Sequence, residues 1–121
     1  MAKKVLIVDD SAAIRQSVSY ILGQAGYEVD AAEDGVEGEK RINNSEYDLV
    51  ITDVNMPNMD GIELVRRIRA HGPTKFTPVI VLTTESQDSK MSEGKEAGAT
   101  GWIVKPFDAD KLLQVTKKLA G

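Results

Sequence analysis

Two adjacent carboxylates, Asp9 and Asp10, follow directly on the apolar run Val5-Leu6-Ile7-Val8, and a third, Asp53, closes the run Leu49-Val50-Ile51-Thr52. A further apolar run from Val79 to Leu82 ends in Thr83-Thr84, and another from Trp102 to Val104 ends in Lys105-Pro106. Like charges about 4 Å apart repel by roughly 4 kcal/mol even at an effective dielectric near 20, so carboxylates that share a site need a positive partner. Lys105 can supply one charge, and a hard divalent cation can supply two. Oxygen donors with room left for water and phosphate oxygens suit magnesium better than calcium or zinc. A carboxylate beside such a cation, a lysine and a hydroxyl also has the parts needed to accept a phosphoryl group. Asp53 is the candidate nucleophile, because it stands alone at its run while Asp9 and Asp10 form a pair suited to metal. The chain carries no Walker loop and no GxGxxG to hold a nucleotide, so the phosphoryl donor must bring its own recognition.

These residues can meet only if their runs end at one edge. The runs do not alternate polar with apolar residues, which suits parallel strands covered on both faces, and Glu28 to Ala32 is a weaker fifth candidate. Between them lie segments of helical spacing: Ile14, Val18, Ile21 and Leu22; Ile62, Val65 and Ile68; Leu112, Val115, Thr116 and Leu119. Asp34-Gly-Val-Glu37 and Asp60-Gly-Ile-Glu63 have the spacing of capping boxes, and Gly26, Gly72 and Gly98 stand where helices should stop. Ser86 to Ala97 has few large apolar side chains and is read as a helix from its place in the alternation. Strand and helix alternate five times, which predicts an α/β fold with right-handed crossovers and helices on both faces of a parallel sheet. The common order for five strands is 2-1-3-4-5, with ligands at the carboxyl ends of strands 1 and 3.

The bulk composition fits one domain over residues 1–121, with 41% hydrophobic and 28% charged residues and no internal repeat. The absence of Cys excludes disulfides and thiolate chemistry. Only four apolar residues separate the N-terminal lysines from Asp9, too few for a signal peptide or a membrane span, so a cytoplasmic protein without membrane contact is expected. A net charge of -4 with no basic run argues against direct nucleic-acid binding.

Taken singly, most of these residues have plainer readings: Asp9 or Asp10 as a helix cap, Lys105 as a surface lysine, Met56 and Met59 as loop packing, His71 as a solvated loop residue, Trp102 as a core aromatic. Their convergence on one sheet edge favours the site. The motifs VLIVDDS, DLVITDVNMPNMDG, PVIVLTTES and AGATGWIVKPF together span residues 5 to 107, and the chain that carries them resembles a response-regulator receiver domain of the stand-alone, CheY-like chemotaxis type. The resemblance implies a single flavodoxin-like (βα)5 domain with no output domain, a two-component switch that catalyses its own phosphorylation and dephosphorylation. It implies Asp53 as the phosphorylated residue, Asp10 with Asp9 and the backbone carbonyl of Asn55 as magnesium ligands, and Thr83 and Lys105 as contacts of the phosphoryl group. The Lys105–Pro106 bond would be cis, Trp102 would occupy a switch position where the chemotaxis proteins often have Tyr, and Asn55 and Glu85 would modulate hydrolysis. The implied partners are a sensor histidine kinase as donor and a phosphorylation-dependent target, the flagellar motor switch among the candidates, and a monomer is expected. Two other readings use the same strand order. A magnesium-dependent aspartyl-phosphate phosphatase or phosphotransferase would typically show DxD at the first strand, where this chain has DDS. A flavin carrier would place a hydroxyl-rich phosphate loop there, where Asp9 and Asp10 would repel the phosphate.

Overall fold

A computed structural model describes residues 2–84 and 88–121. Five strands, β1 (Lys4–Val8), β2 (Glu28–Ala32), β3 (Leu49–Asp53), β4 (Val79–Thr83) and β5 (Gly101–Val104), alternate with α1 (Ala12–Gln24), α2 (Gly35–Asn44), α3 (Gly61–Ala70), α4 (Asp88–Ala97) and α5 (Ala109–Ala120). All pairings are parallel and the order is β2-β1-β3-β4-β5. This is the doubly wound fold expected from the alternation, and the weak run EVDAA is indeed a strand.

Successive strand residues point to opposite faces, so each unbroken apolar run feeds two cores. Leu6, Val8, Val50, Val79 and Val81 pack with Ile42, Ile62, Val65 and Ile68 beneath α2 and α3. Val5, Ile7, Leu49, Ile51, Ile80 and Leu82 pack with Val18, Leu22 and Leu112 beneath α1 and α5. Burial on both sides explains why the sequence shows no alternation.

The helices begin where short polar side chains take up free amides. Asp34 Oδ1 accepts from the Glu37 N–H at 2.8 Å and Asp60 Oδ1 from the Glu63 N–H at 2.8 Å. For α1 the cap is Ser11, whose Oγ accepts from the Ile14 N–H at 3.3 Å, which leaves both preceding aspartates for other work. Gly26 and Gly98 follow α1 and α4 with φ of 94° and 109°, as helix-stopping glycines should. Gly72 does not stop a helix: α3 is closed by His71, and Gly72 opens a 3-10 turn with Pro73. Ser86 and Glu85 lie outside the described residues, so the expected helix is seen from Asp88 onward. Among the described residues no helix is long and apolar enough to cross a membrane.

Candidate functional site

The register of the sheet brings the candidate residues together. Val8 pairs with Thr52, so Asp9 and Asp53 leave neighbouring strands at the same level. Thr83 pairs with Val104, and the Lys105 N–H donates to the Thr83 carbonyl at 2.7 Å, which seats Lys105 beside the two acids. Oxygens of Asp9, Asp10 and Asp53 lie within 4.8 Å of one another.

Lys105 holds this cluster. Its Nζ stands 2.9 Å from Asp9 Oδ2 and 3.4 Å from Asp53 Oδ1. Asp9 is fully buried and fully engaged: Oδ1 accepts from the Ser11 N–H at 2.9 Å, and its backbone carbonyl accepts from Arg15 Nη1 at 2.7 Å. Asp10 is exposed. Asp53 Oδ1 accepts from the Val54 N–H at 2.9 Å. Burial, and then the charge of Asp9, push the Asp53 carboxyl above its ordinary range, although Lys105 and the Val54 N–H pull it back. The Lys105–Pro106 bond is cis.

The donor set fits a hard divalent cation. It consists of carboxylate oxygens without His or Cys, and three acids share one lysine, leaving two negative charges to be matched. Thr83 is fully buried at the end of β4, and Asn55 is exposed in the loop after β3. Met56 and Met59 pack against the core under α2 and α3, and His71 caps the far end of α3, away from the acids.

Trp102 is half-buried on the face of the sheet that α4 covers. Its indole rests on Gly94, where an added Cβ would stand 2.8 Å from Trp102 Cζ3. Trp102 Nε1 is buried with no hydrogen-bond partner among the described residues. The indole closes one side of a groove of about 560 Å³ lined by Met91, Ser92, Lys95 and Thr100.

Three residues matter here that the motifs alone do not reveal. Ser11 and Arg15 fix Asp9, through an amide and a carbonyl that sequence does not display. Gly61, read as part of a capping box, meets the backbone carbonyl of Asp53 so closely that a Cβ would overlap it, and its N–H donates to the Val54 carbonyl at 2.9 Å. The signal for Gly61 was present only as a glycine immediately after a cap.

Comparison with known proteins agrees with this geometry. Residues 5–117 match the response regulator receiver domain. The chain is 38% identical over 117 residues to chemotaxis protein CheY-3 of Vibrio cholerae serotype O1, covering 96% of this chain and 90% of that protein. The crystal structure of chemotaxis protein CheY4 of Vibrio cholerae superposes with a TM-score of 0.95 at 48% identity, covering 98% of this chain and 99% of the other. Response regulator TrrA of Thermotoga maritima, solved in complex with Mg2+-BeF, superposes with a TM-score of 0.87 at 38% identity, covering 97% and 98% of the two chains. The chain belongs to the response regulator receiver family, with a CheY-like receiver fold.

Proposed function

We propose that this two-component response regulator accepts a phosphoryl group on Asp53 from a phosphohistidine of a sensor kinase. The observation that carries the reading is Lys105, whose Nζ reaches both Asp9 Oδ2 and Asp53 Oδ1 where three carboxylates converge. An oxygen of Asp53 attacks phosphorus, the new O–P bond forms as the P–N bond breaks, and the imidazole nitrogen keeps the electron pair and takes a proton from solvent. Lys105 neutralises charge on the transferring oxygens, and the Thr83 hydroxyl donates to one of them. Asp10, Asp53 and the Asn55 carbonyl, with Asp9 behind them, would hold magnesium, which supplies charge neutralisation on those oxygens when bound. Water attack on the acyl phosphate later breaks the O–P bond and releases phosphate, with Asn55 and Glu85 setting its rate.

The added negative charge draws Thr83 and Lys105 inward and repacks the surface from β4 to α5 around Trp102, and a target protein reads that surface. Similarity to CheY-3 and CheY4 favours a chemotaxis pathway, a monomeric cytoplasmic protein and a target such as the flagellar motor switch. The test follows the fluorescence of Trp102, the only tryptophan, as beryllium fluoride is added with and without magnesium. A magnesium-dependent change lost in Asp53→Asn supports the reading. A silent wild type under conditions where magnesium binds would count against it.

A further inference from the structure

Arg69, one residue from the end of α3, has only neutral partners among the described residues. Nε donates to the Gly98 carbonyl at 3.0 Å, Nη1 to the Thr77 carbonyl at 2.6 Å and, at longer range, to Lys75 and Thr74, and Nη2 to Thr100 Oγ1 at 3.3 Å. Its aliphatic stem lies on Gly98, whose φ of 109° and missing Cβ allow the approach: a Cβ there would stand 2.9 Å from Arg69 Cγ. One planar fork thus spans the end of α3, the segment leading into β4, the end of α4 and the start of β5.

Both ends of that span bear on Trp102. On one side the Gly98 and Ala99 amides donate to the Gly94 carbonyl at 3.2 and 3.0 Å, so Gly98 is fastened to the residue on which the indole rests. On the other side Thr100 Oγ1 accepts from the Val79 N–H at 3.1 Å, and the Thr100 N–H donates to the Val79 carbonyl at 2.8 Å, which sets the start of the strand that carries Trp102. Among the described residues the indole N–H has no acceptor, so none of them holds the ring in place by a hydrogen bond to it. Its seat is defined by its walls, and Arg69 joins both of them to the end of α3.

We propose that Arg69 is a positioning residue for the switch: by tying the Gly98 carbonyl at the end of α4 to Thr100 before β5, it holds Trp102 in its resting seat against Gly94. The proposal rests on Trp102 being the aromatic that responds to the phosphoryl site. Arg69 makes no contact with Asp9, Asp53 or Lys105, so its loss should loosen the seat and leave the phosphoryl chemistry intact.

Acrylamide quenching and the emission maximum of Trp102, measured well below Tm in wild type, Arg69→Met and Arg69→Lys, test this. Covalent phosphorylation of Asp53 by acetyl phosphate with magnesium serves as the readout of the site. In Arg69→Met the resting quenching constant should rise about twofold and the emission move to the red, as the seated population falls. The increment on adding beryllium fluoride should shrink, and Asp53 should still phosphorylate to completion. Arg69→Lys, a point charge that cannot span both walls, should fall between. A merely structural arginine would lower Tm and leave resting quenching at the wild-type value, which would overturn the proposal. If Arg69→Met does not fold, Arg69→Lys decides in the same way: raised quenching supports the proposal and wild-type quenching overturns it. A wild type silent to beryllium fluoride would sink the phosphoryl reading, whereas the resting comparison judges the role of Arg69 separately.

Discussion

Lys105 and Asp9, 96 positions apart in the chain, meet at 2.9 Å, and Asp9 is fully buried beneath the contact. Removing Lys105 strands the charges of Asp9 and Asp53 together, whereas removing both Lys105 and Asp9 leaves only Asp53, which keeps the Val54 N–H. Lys105→Met should therefore destabilise the fold by on the order of 3 kcal/mol in urea unfolding without magnesium. The double variant Asp9→Asn with Lys105→Met should recover more than half of that loss. Additive effects of the two changes would show that the pair is not coupled.

The raised pKa of Asp53 has a sign that can be checked. Its carboxyl sits above the ordinary 3.8 because of burial and then Asp9, so folding favours the protonated form relative to the unfolded chain. Stability from this group is fully present below 3.8 and is lost as pH rises through the folded value. Asp53→Asn should be more stable than wild type at neutral pH without magnesium, and the advantage should vanish below pH 3.8. An advantage of the same size at every pH would contradict the electrostatic cause.

Gly61 touches the backbone of the phosphoacceptor itself. A methyl group there must displace the Asp53 carbonyl or the start of α3, since the Cβ would overlap that oxygen. Gly61→Ala should cost about 1–3 kcal/mol of stability and should also abolish the magnesium-dependent response of Trp102. Gly23→Ala, inside α1 where a Cβ would meet nothing within 4 Å, is the control: it should leave the Trp102 response unchanged and should not lower stability.

At the opposite edge, Tyr47 donates its hydroxyl to Asp30 Oδ2 at 2.8 Å, and burial together with Asp30 pushes its pKa up to about 12. Because the folded value lies above the ordinary 10.0, stability is full below pH 10.0 and falls as pH rises towards about 12. Tyr47→Phe should remove that part of the alkaline loss, seen as a shallower fall of Tm between those limits. An identical alkaline limb in the variant would show that Tyr47 is not its source.

The sheet and the acid cup were legible because they are written locally. Four apolar runs ending in Asp9-Asp10, Asp53, Thr83 and Lys105 announce both a strand and what it carries, and Asp34 and Asp60 announce helix starts at fixed spacing. What was not legible depends on distant packing. Ser11 and Arg15 act through the backbone and side chain of Asp9, and Gly61 acts through the Asp53 carbonyl. Arg69 looks like one more polar residue on an amphipathic helix until Gly98 and Thr100 fold against it. Helix α4 was faint for the same reason: among its described residues the contacts with the core are Gly94 under an indole and the small Ala97, which leave little apolar signature.

The central claim is that Asp53 takes a covalent phosphoryl group in this site. Incubation with acetyl phosphate and magnesium, borohydride trapping of the acyl phosphate and mass spectrometry of the peptides address it directly. One modification, at Asp53, dependent on magnesium and absent from Asp53→Asn, is the predicted result. An unmodified Asp53 in a protein shown to be folded and to bind magnesium, or modification that persists in Asp53→Asn, would contradict the account.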